Sequence, residues 1–306
     1  MFAKTSAIAD VFVCYDVVMS LPFLPFFFAF GAIIGSFLNV VVLRYGTKTF
    51  GGRSRCFSCG KTLRWFELIP ALSFLLQKGR CLGCKGNISM QYPLVELLTG
   101  LVFTAVAWKE FPFLLSSFSP FSILHTSYFI LLFVLWSLLI AISIYDFKHK
   151  IIPSELLSGV LAAAFLLFTL RLIAGRAEYP WLDALGGFFF AIPFALLWLL
   201  SGGRAMGLGD AKLMLLFSWV LGFSRGLSAL IVSFWIGAAA ALCALSYKGI
   251  LSLLPHTVFS RHRSALKNLG PKTELPLGPF LALGLFLVYL FGFDVTGLSM
   301  LISHEL

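Results

Sequence analysis

Apolar residues in this chain gather into long, nearly uninterrupted stretches separated by short polar or basic segments. A helix that crosses a bilayer needs about 20 mostly apolar residues. Eight stretches answer to that pattern, at roughly 20–43, 93–108, 123–145, 152–174, 182–200, 210–224, 226–247 and 276–293, of which the second and sixth are short. One sizeable polar segment breaks the pattern, at about residues 45–92. The pattern therefore predicts an all-α polytopic membrane protein of about eight transmembrane helices with a small cytoplasmic insert. Its parts are an N-terminal segment and first helix (1–44), the insert (45–92) and a transmembrane core (93–306).

Composition agrees, since 59% of the residues are apolar and only 12% charged, far from an ordinary soluble domain. The first apolar stretch runs past the length of a secretory signal and follows acidic Asp10 and Asp16, so it reads as a retained anchor. Gly31 and Gly35 give it a small-xxx-small pair suited to close helix packing.

The net charge of +10 does not point to nucleic acid, because its distribution follows the membrane. With the N-terminus outside and eight alternating helices, 18 Lys and Arg fall on the cytoplasmic side and five outside, as the positive-inside rule expects. The basic run from Arg261 to Lys272 is assigned to topology and lipid contact.

The insert carries Cys56, Cys59, Cys81 and Cys84 as two Cys-x-x-Cys knuckles separated by 21 residues. Two intervening residues let one turn place two thiolates on adjacent corners of a tetrahedron, so two knuckles complete a closed, structural Zn²⁺ site. About 50 residues with few large apolar groups need such a staple. Disulfides or redox-active dithiols are the other reading; a cytoplasmic location opposes the first and the duplicated knuckle the second. Cys14 and Cys243 read as free buried thiols.

An ionised acid within a spanning helix is costly, so the acids at membrane boundaries are candidates for function. Asp146 ends the third stretch, just before Phe147-Lys-His-Lys150, and Asp210 begins the sixth in Gly207-Leu-Gly209-Asp210. The fourth and fifth helices go out and come back between them, which puts both aspartates at one leaflet. Gly207 and Gly209 allow positive φ or close approach of another backbone, and an extended substrate peptide is one candidate for that approach. A helix cap and a boundary residue are the alternative. Glu96 and Glu155 read as first-turn acids of their helices, with a polar contact to the active region open to Glu96. Asp183, Glu110, Glu178 and Asp294 read as solvated, as does His149 in its basic run.

Two nearby carboxylates share a proton and titrate as a unit. The ionised member can activate water while the protonated one polarises a scissile carbonyl, which is peptide-bond cleavage without a metal at that site.

The Gly207-Leu-Gly209-Asp210 run with a second membrane-edge aspartate looks like the GxGD class of intramembrane aspartic peptidases. Ordered matches over nearly the whole chain narrow this further: Gly35-Ser-Phe-Leu-Asn-Val-Val-Val-Leu-Arg44, Arg53-Ser-Arg-Cys56, Trp65-Phe-Glu-Leu-Ile-Pro70, Gly79-Arg-Cys81, Tyr92-Pro-Leu-Val-Glu-Leu-Leu98, Asp146 with Ile152-Pro153, and Pro276-Leu-Gly-Pro-Phe280. In these the chain resembles the bacterial type IV prepilin leader peptidases. The resemblance implies an inner-membrane enzyme that removes the short basic leader of type IV prepilins or type II secretion pseudopilins at the cytoplasmic face, with Asp146 and Asp210 as the catalytic pair. It also implies N-methylation of the new N-terminus with S-adenosylmethionine, linked to the tetracysteine domain and to Gly79 and Arg80. Ser154 departs from the acidic or amide residue that the family often has after its Ile-Pro pair. A peptidase without methylation, and a non-enzymatic transporter or assembly factor with a zinc domain, are the competing readings; the second leaves the paired aspartates unexplained.

Overall fold

The computed structural model describes residues 21–45, 52–116, 122–177, 179–204, 206–253 and 276–297, and within them each of the eight apolar stretches is mostly helical. The N-terminal segment with Cys14, together with Glu178 and the run from Arg261 to Lys272, lies outside the described residues. Among the described residues there is no strand, only two isolated bridges, Arg55 with Thr62 and Arg80 with Asn87. The chain divides into two compact units, Met1–Ala141 and Ile142–Leu306.

In the first unit, α1 (Leu24–Arg44) packs chiefly against α3 (Gln91–Ser116), with the insert and its short helix α2 (Leu72–Leu76) between them in sequence. The small-xxx-small pair explains the fit. A Cβ on Gly31 would lie 2.7 Å from the Cβ of Phe103, and one on Gly35 would lie 2.9 Å from the Cα of Glu96. Helix α4 (Ser122–His149) adds Phe129 and Phe133, whose rings meet Phe27 and, through Phe133, Phe103 at 4.4 Å.

Helix α4 ends in the second unit, which continues with α5 (Ser154–Ile173), α6 (Pro180–Ser201), α7 (Leu208–Leu213), α8 (Leu215–Leu221), α9 (Phe223–Leu253) and α10 (Gly278–Phe291). Among the described residues, five helices are long and apolar enough to cross a membrane: Leu21–Arg44, Ile123–His149, Ser154–Ile173, Pro180–Ser201 and Phe223–Ser246. The sixth expected span is instead two short helices, α7 and α8, meeting at Met214 and closed by Gly222 at φ +87°. Helix α10, with 14 residues, reaches about 21 Å, less than the hydrocarbon thickness of about 30 Å. Helix α8 is buried against α5, α6 and α9, and Gly226 of α9 sits so close that a Cβ there would be 2.9 Å from the Phe217 carbonyl.

Three acids read as solvated or dipole-compensating are placed otherwise. Asp183 is buried, pairs with Arg171 at 3.5 Å and accepts the Phe223 N–H at 2.8 Å. Arg171 also donates to the Trp219 and Val220 carbonyls. These bonds satisfy the C-terminal end of α8, whose carbonyls would otherwise have no partner in an apolar surround. Asp294 is half-buried and accepts from Ser224, Ser228, Thr296 and Gly297. Glu96 lies beyond the first turn of α3, buried, and accepts the Ala71 N–H at 2.7 Å. Cys243, expected to be buried, is exposed on α9; Glu155 does occupy the first turn of α5.

Because Gly31 meets main chain and Cβ atoms that cannot move aside, Gly31→Leu should destabilise the first unit by about 1–3 kcal/mol. Thermal unfolding of the detergent-solubilised protein checks this, with Ile33→Leu on the exposed face of the same helix as the neutral comparison.

Candidate active site

Asp146 occupies the last turn of α4, where Lys150 at φ +55° closes the helix by donating its N–H to the Asp146 carbonyl at 2.7 Å. The aspartate is 5% exposed, and its Oδ2 accepts the backbone N–H of Gly278, the first residue of α10, at 3.0 Å. A Cβ on Gly278 would sit 2.8 Å from that oxygen, so a side chain there would displace the carboxylate. His149 is exposed, its ring tilted against that of Tyr145 at 4.4 Å.

Asp210 lies in the first turn of α7. Its carboxylate accepts the Gly207 N–H and feels the charge of Asp146, so the fold brings the two acids into one electrostatic neighbourhood. Among the described residues its Oδ1 is buried without a hydrogen-bond partner. A buried polar atom in that state costs free energy unless something else completes it.

The two glycines of the run differ in what they do. Neither takes positive φ: Gly207 is extended at φ −76°, ψ 141°, and Gly209 is helical. The space that Gly209 leaves is filled by Ile152, whose Cβ would be 2.9 Å from a Cβ at 209, whereas Gly207 is exposed and a Cβ there would meet only Asp210 Oδ2 within 4 Å. Close approach at Gly209 thus serves the chain itself. Gly278 was visible in the sequence only as part of the Pro276-Leu-Gly-Pro-Phe280 match. Its bond to Asp146 spans 132 residues, and the sole local signal is a glycine at the start of the last apolar stretch.

The insert builds its cysteine cluster from two equivalent turns. Cys56 N–H donates to Lys61 and Gly60 N–H to Cys56; Cys81 N–H donates to Gly86 and Lys85 N–H to Cys81, each at 2.9 Å. The fifth residue of each turn has positive φ, +70° at Gly60 and +59° at Lys85. All four Sγ atoms lie within 4.8 Å of one another, with Cys56 and Cys84 at 3.9 Å. Four thiolates about 2.3 Å from one Zn²⁺ stand about 3.8 Å apart, so the donor set fits a tetrahedral ion. Backbone N–H groups of Cys59 and Ser58 pull the Cys56 thiol down to about 6. At Cys59 the Lys61 N–H acts in the same direction but is outweighed by the neighbouring sulfurs of Cys84 and Cys56 and by burial, which push it up to about 11. Such crowding of sulfurs is relieved by a bound dication.

Glu67 is the insert's acid. Bonds from the Arg64 N–H at 2.7 Å and Lys61 Nζ at 2.9 Å hold its carboxyl below the usual range. Gly79, at φ +67°, accepts the Ile88 N–H through its carbonyl, and Arg80 is exposed beside buried Cys81.

Comparison with known proteins gives this arrangement its context. Residues 29–110 match the bacterial peptidase A24 N-terminal domain and residues 133–242, which contain both aspartates, match the type IV leader peptidase family. A prepilin leader peptidase/N-methyltransferase of Myxococcus xanthus is 34% identical over 82% of this chain and 67% of its own length. One from Bacillus subtilis is 32% identical over 88% of this chain and 94% of its own. A type 4 prepilin-like proteins leader peptide-processing enzyme of Escherichia coli is 32% identical over 83% and 88%. No solved structure matches. With the likeness extending through both matched domains and over 67–94% of the length of these relatives, this chain belongs to the family of prepilin leader peptidase/N-methyltransferases.

Proposed function

We propose that this chain removes the short basic leader of type IV prepilins or type II secretion pseudopilins at the cytoplasmic face of the bacterial inner membrane, using Asp146 and Asp210 with water, and then N-methylates the new N-terminus with S-adenosylmethionine. The single observation that carries the peptidase reading is the buried, unpartnered Oδ1 of Asp210 beside the charge of Asp146. A proton shared by the pair would sit most readily on the oxygens that the Gly278 and Gly207 N–H groups leave free. There it can be handed between attacking water and departing amine. Exposed, extended Gly207 next to Asp210 offers the place where substrate main chain would run. Eight crossings with the N-terminus outside, in which α7 with α8 and α10 are completed by their neighbours, would put Asp146, Asp210 and the insert on one face.

Cys56, Cys59, Cys81 and Cys84 would hold a structural Zn²⁺, which supplies no chemistry of its own but fixes the two turns. Gly79 and Arg80 are the positions carried over for methyl transfer.

Purified Asp146→Asn and Asp210→Asn should each keep the fold and lose cleavage of a prepilin peptide by at least about 10³-fold. The double variant should be no worse than either single, as for residues that act as a unit. Retained cleavage in either would remove the mechanism. Gly278→Ala keeps the N–H but moves the carboxylate it bonds, so kcat should fall about 10²-fold, as misplacement of about 1 Å does, with helix content by circular dichroism unchanged. Elemental analysis should find one zinc per chain, lost in Cys84→Ser together with transfer of labelled methyl from S-adenosylmethionine to pre-cleaved pilin. No transfer by the intact enzyme would leave a peptidase alone.

A further inference from the structure

The insert has an apolar surface apart from its cysteine cluster. Between Trp65 and Leu76, Trp65 is 78% exposed, Leu75 71% and Leu76 73%, with Leu72 and Leu68 also exposed. Leu72, Leu75 and Leu76 stand at i, i+3 and i+4, one face of α2. Single exposed apolar side chains are ordinary, but a whole helix face beside an exposed tryptophan is the pattern of a segment lying in a membrane interface.

Two independent observations decide what covers it. The first is depth. The Ala71 N–H is bonded to Glu96, and Ala71, at φ +57° in a tight γ-turn whose Leu72 N–H reaches the Pro70 carbonyl at 2.5 Å, starts α2 at that point. On α3 the exposed apolar surface begins at Leu94, 62% exposed, and continues through Leu97, Leu98 and Leu101. The exposed apolar surface of α3 therefore starts before Glu96, and α2 is fastened at that level. The second is charge. Glu67, the insert's single acid, is buried and paired with Lys61, so the exposed charges flanking this segment, Arg64 and Lys78, are all positive.

We propose that Trp65–Leu76 lies in the bilayer interface, with Leu72, Leu75 and Leu76 among acyl chains and Arg64 and Lys78 on anionic phospholipid headgroups. The inference uses only the placement of the insert against α3 and stands apart from the peptidase reading. The test places p-benzoylphenylalanine at position 75 or 76 of the full chain in nanodiscs of phosphatidylethanolamine and phosphatidylglycerol, with position 101 as the lipid-facing reference, and identifies the photoadducts by mass spectrometry. Lipid adducts at 75 and 76 in yield comparable to 101 are expected, several-fold higher than in phosphatidylcholine nanodiscs. Peptide adducts, from a second copy or from the same chain, would overturn the proposal, as would no adduct at either position. Equal yields in the two lipids would overturn the headgroup contact. Cleavage activity of the same samples reads the aspartate pair separately.

Discussion

A carboxylate held inside an apolar bundle is tolerated only where protein groups replace the water it gave up. For Asp146 that group is the backbone N–H of Gly278 at 3.0 Å, and the architecture of the second unit can be read outward from this bond. It sets where α10 must begin and forbids a side chain at its first residue, because a Cβ would lie 2.8 Å from the accepting oxygen. It also uses an N–H from the first turn of a helix, where donors are left without intrahelical partners. One contact thus settles a helix terminus and a buried charge together.

The same economy governs the broken sixth span. Because α7 and α8 are short, their outer ends lie within an apolar surround, and each needs donors or acceptors. Arg171 and Asp183 supply them at one end, by meeting the Trp219 and Val220 carbonyls and the Phe223 N–H. At the other end, Ile152 fills the space beside Gly209, while Asp210 keeps one oxygen without a partner. The segment is therefore satisfied where it serves structure and, among the described residues, incomplete at Asp210.

What the sequence makes legible follows from the range of each interaction. Runs of apolar residues are local, and all eight stretches are mostly helical; knuckle spacing is local, and the four sulfurs do converge. Hydropathy cannot see that Asp183 near a helix start is buried by Arg171 and by residues some 40 positions away. Nor can it see that Asp294 is ringed by hydroxyls from α9. A break at Met214 carries no glycine or proline to announce it. Gly278 and Glu96 were readable as motif members, but their roles depend on partners 132 and 25 residues distant.

The duplicated turns of the insert separate scaffold from chemistry. Ser54 and Gly79 are equivalent, since their carbonyls accept the N–H groups of Leu63 and Ile88, yet only Gly79 has positive φ. The difference is explained by α2: Lys78, at φ +50°, donates to the Leu75 carbonyl and Gly79 to that of Phe74. That is the paired closure with which many helices end. A Cβ at 79 would also approach Phe74 Cζ to 3.0 Å. Gly79 thus stops a helix against its own phenylalanine. Arg80 has a counterpart in Arg55 within the bridge pattern, so its backbone too belongs to the scaffold, while its side chain is exposed.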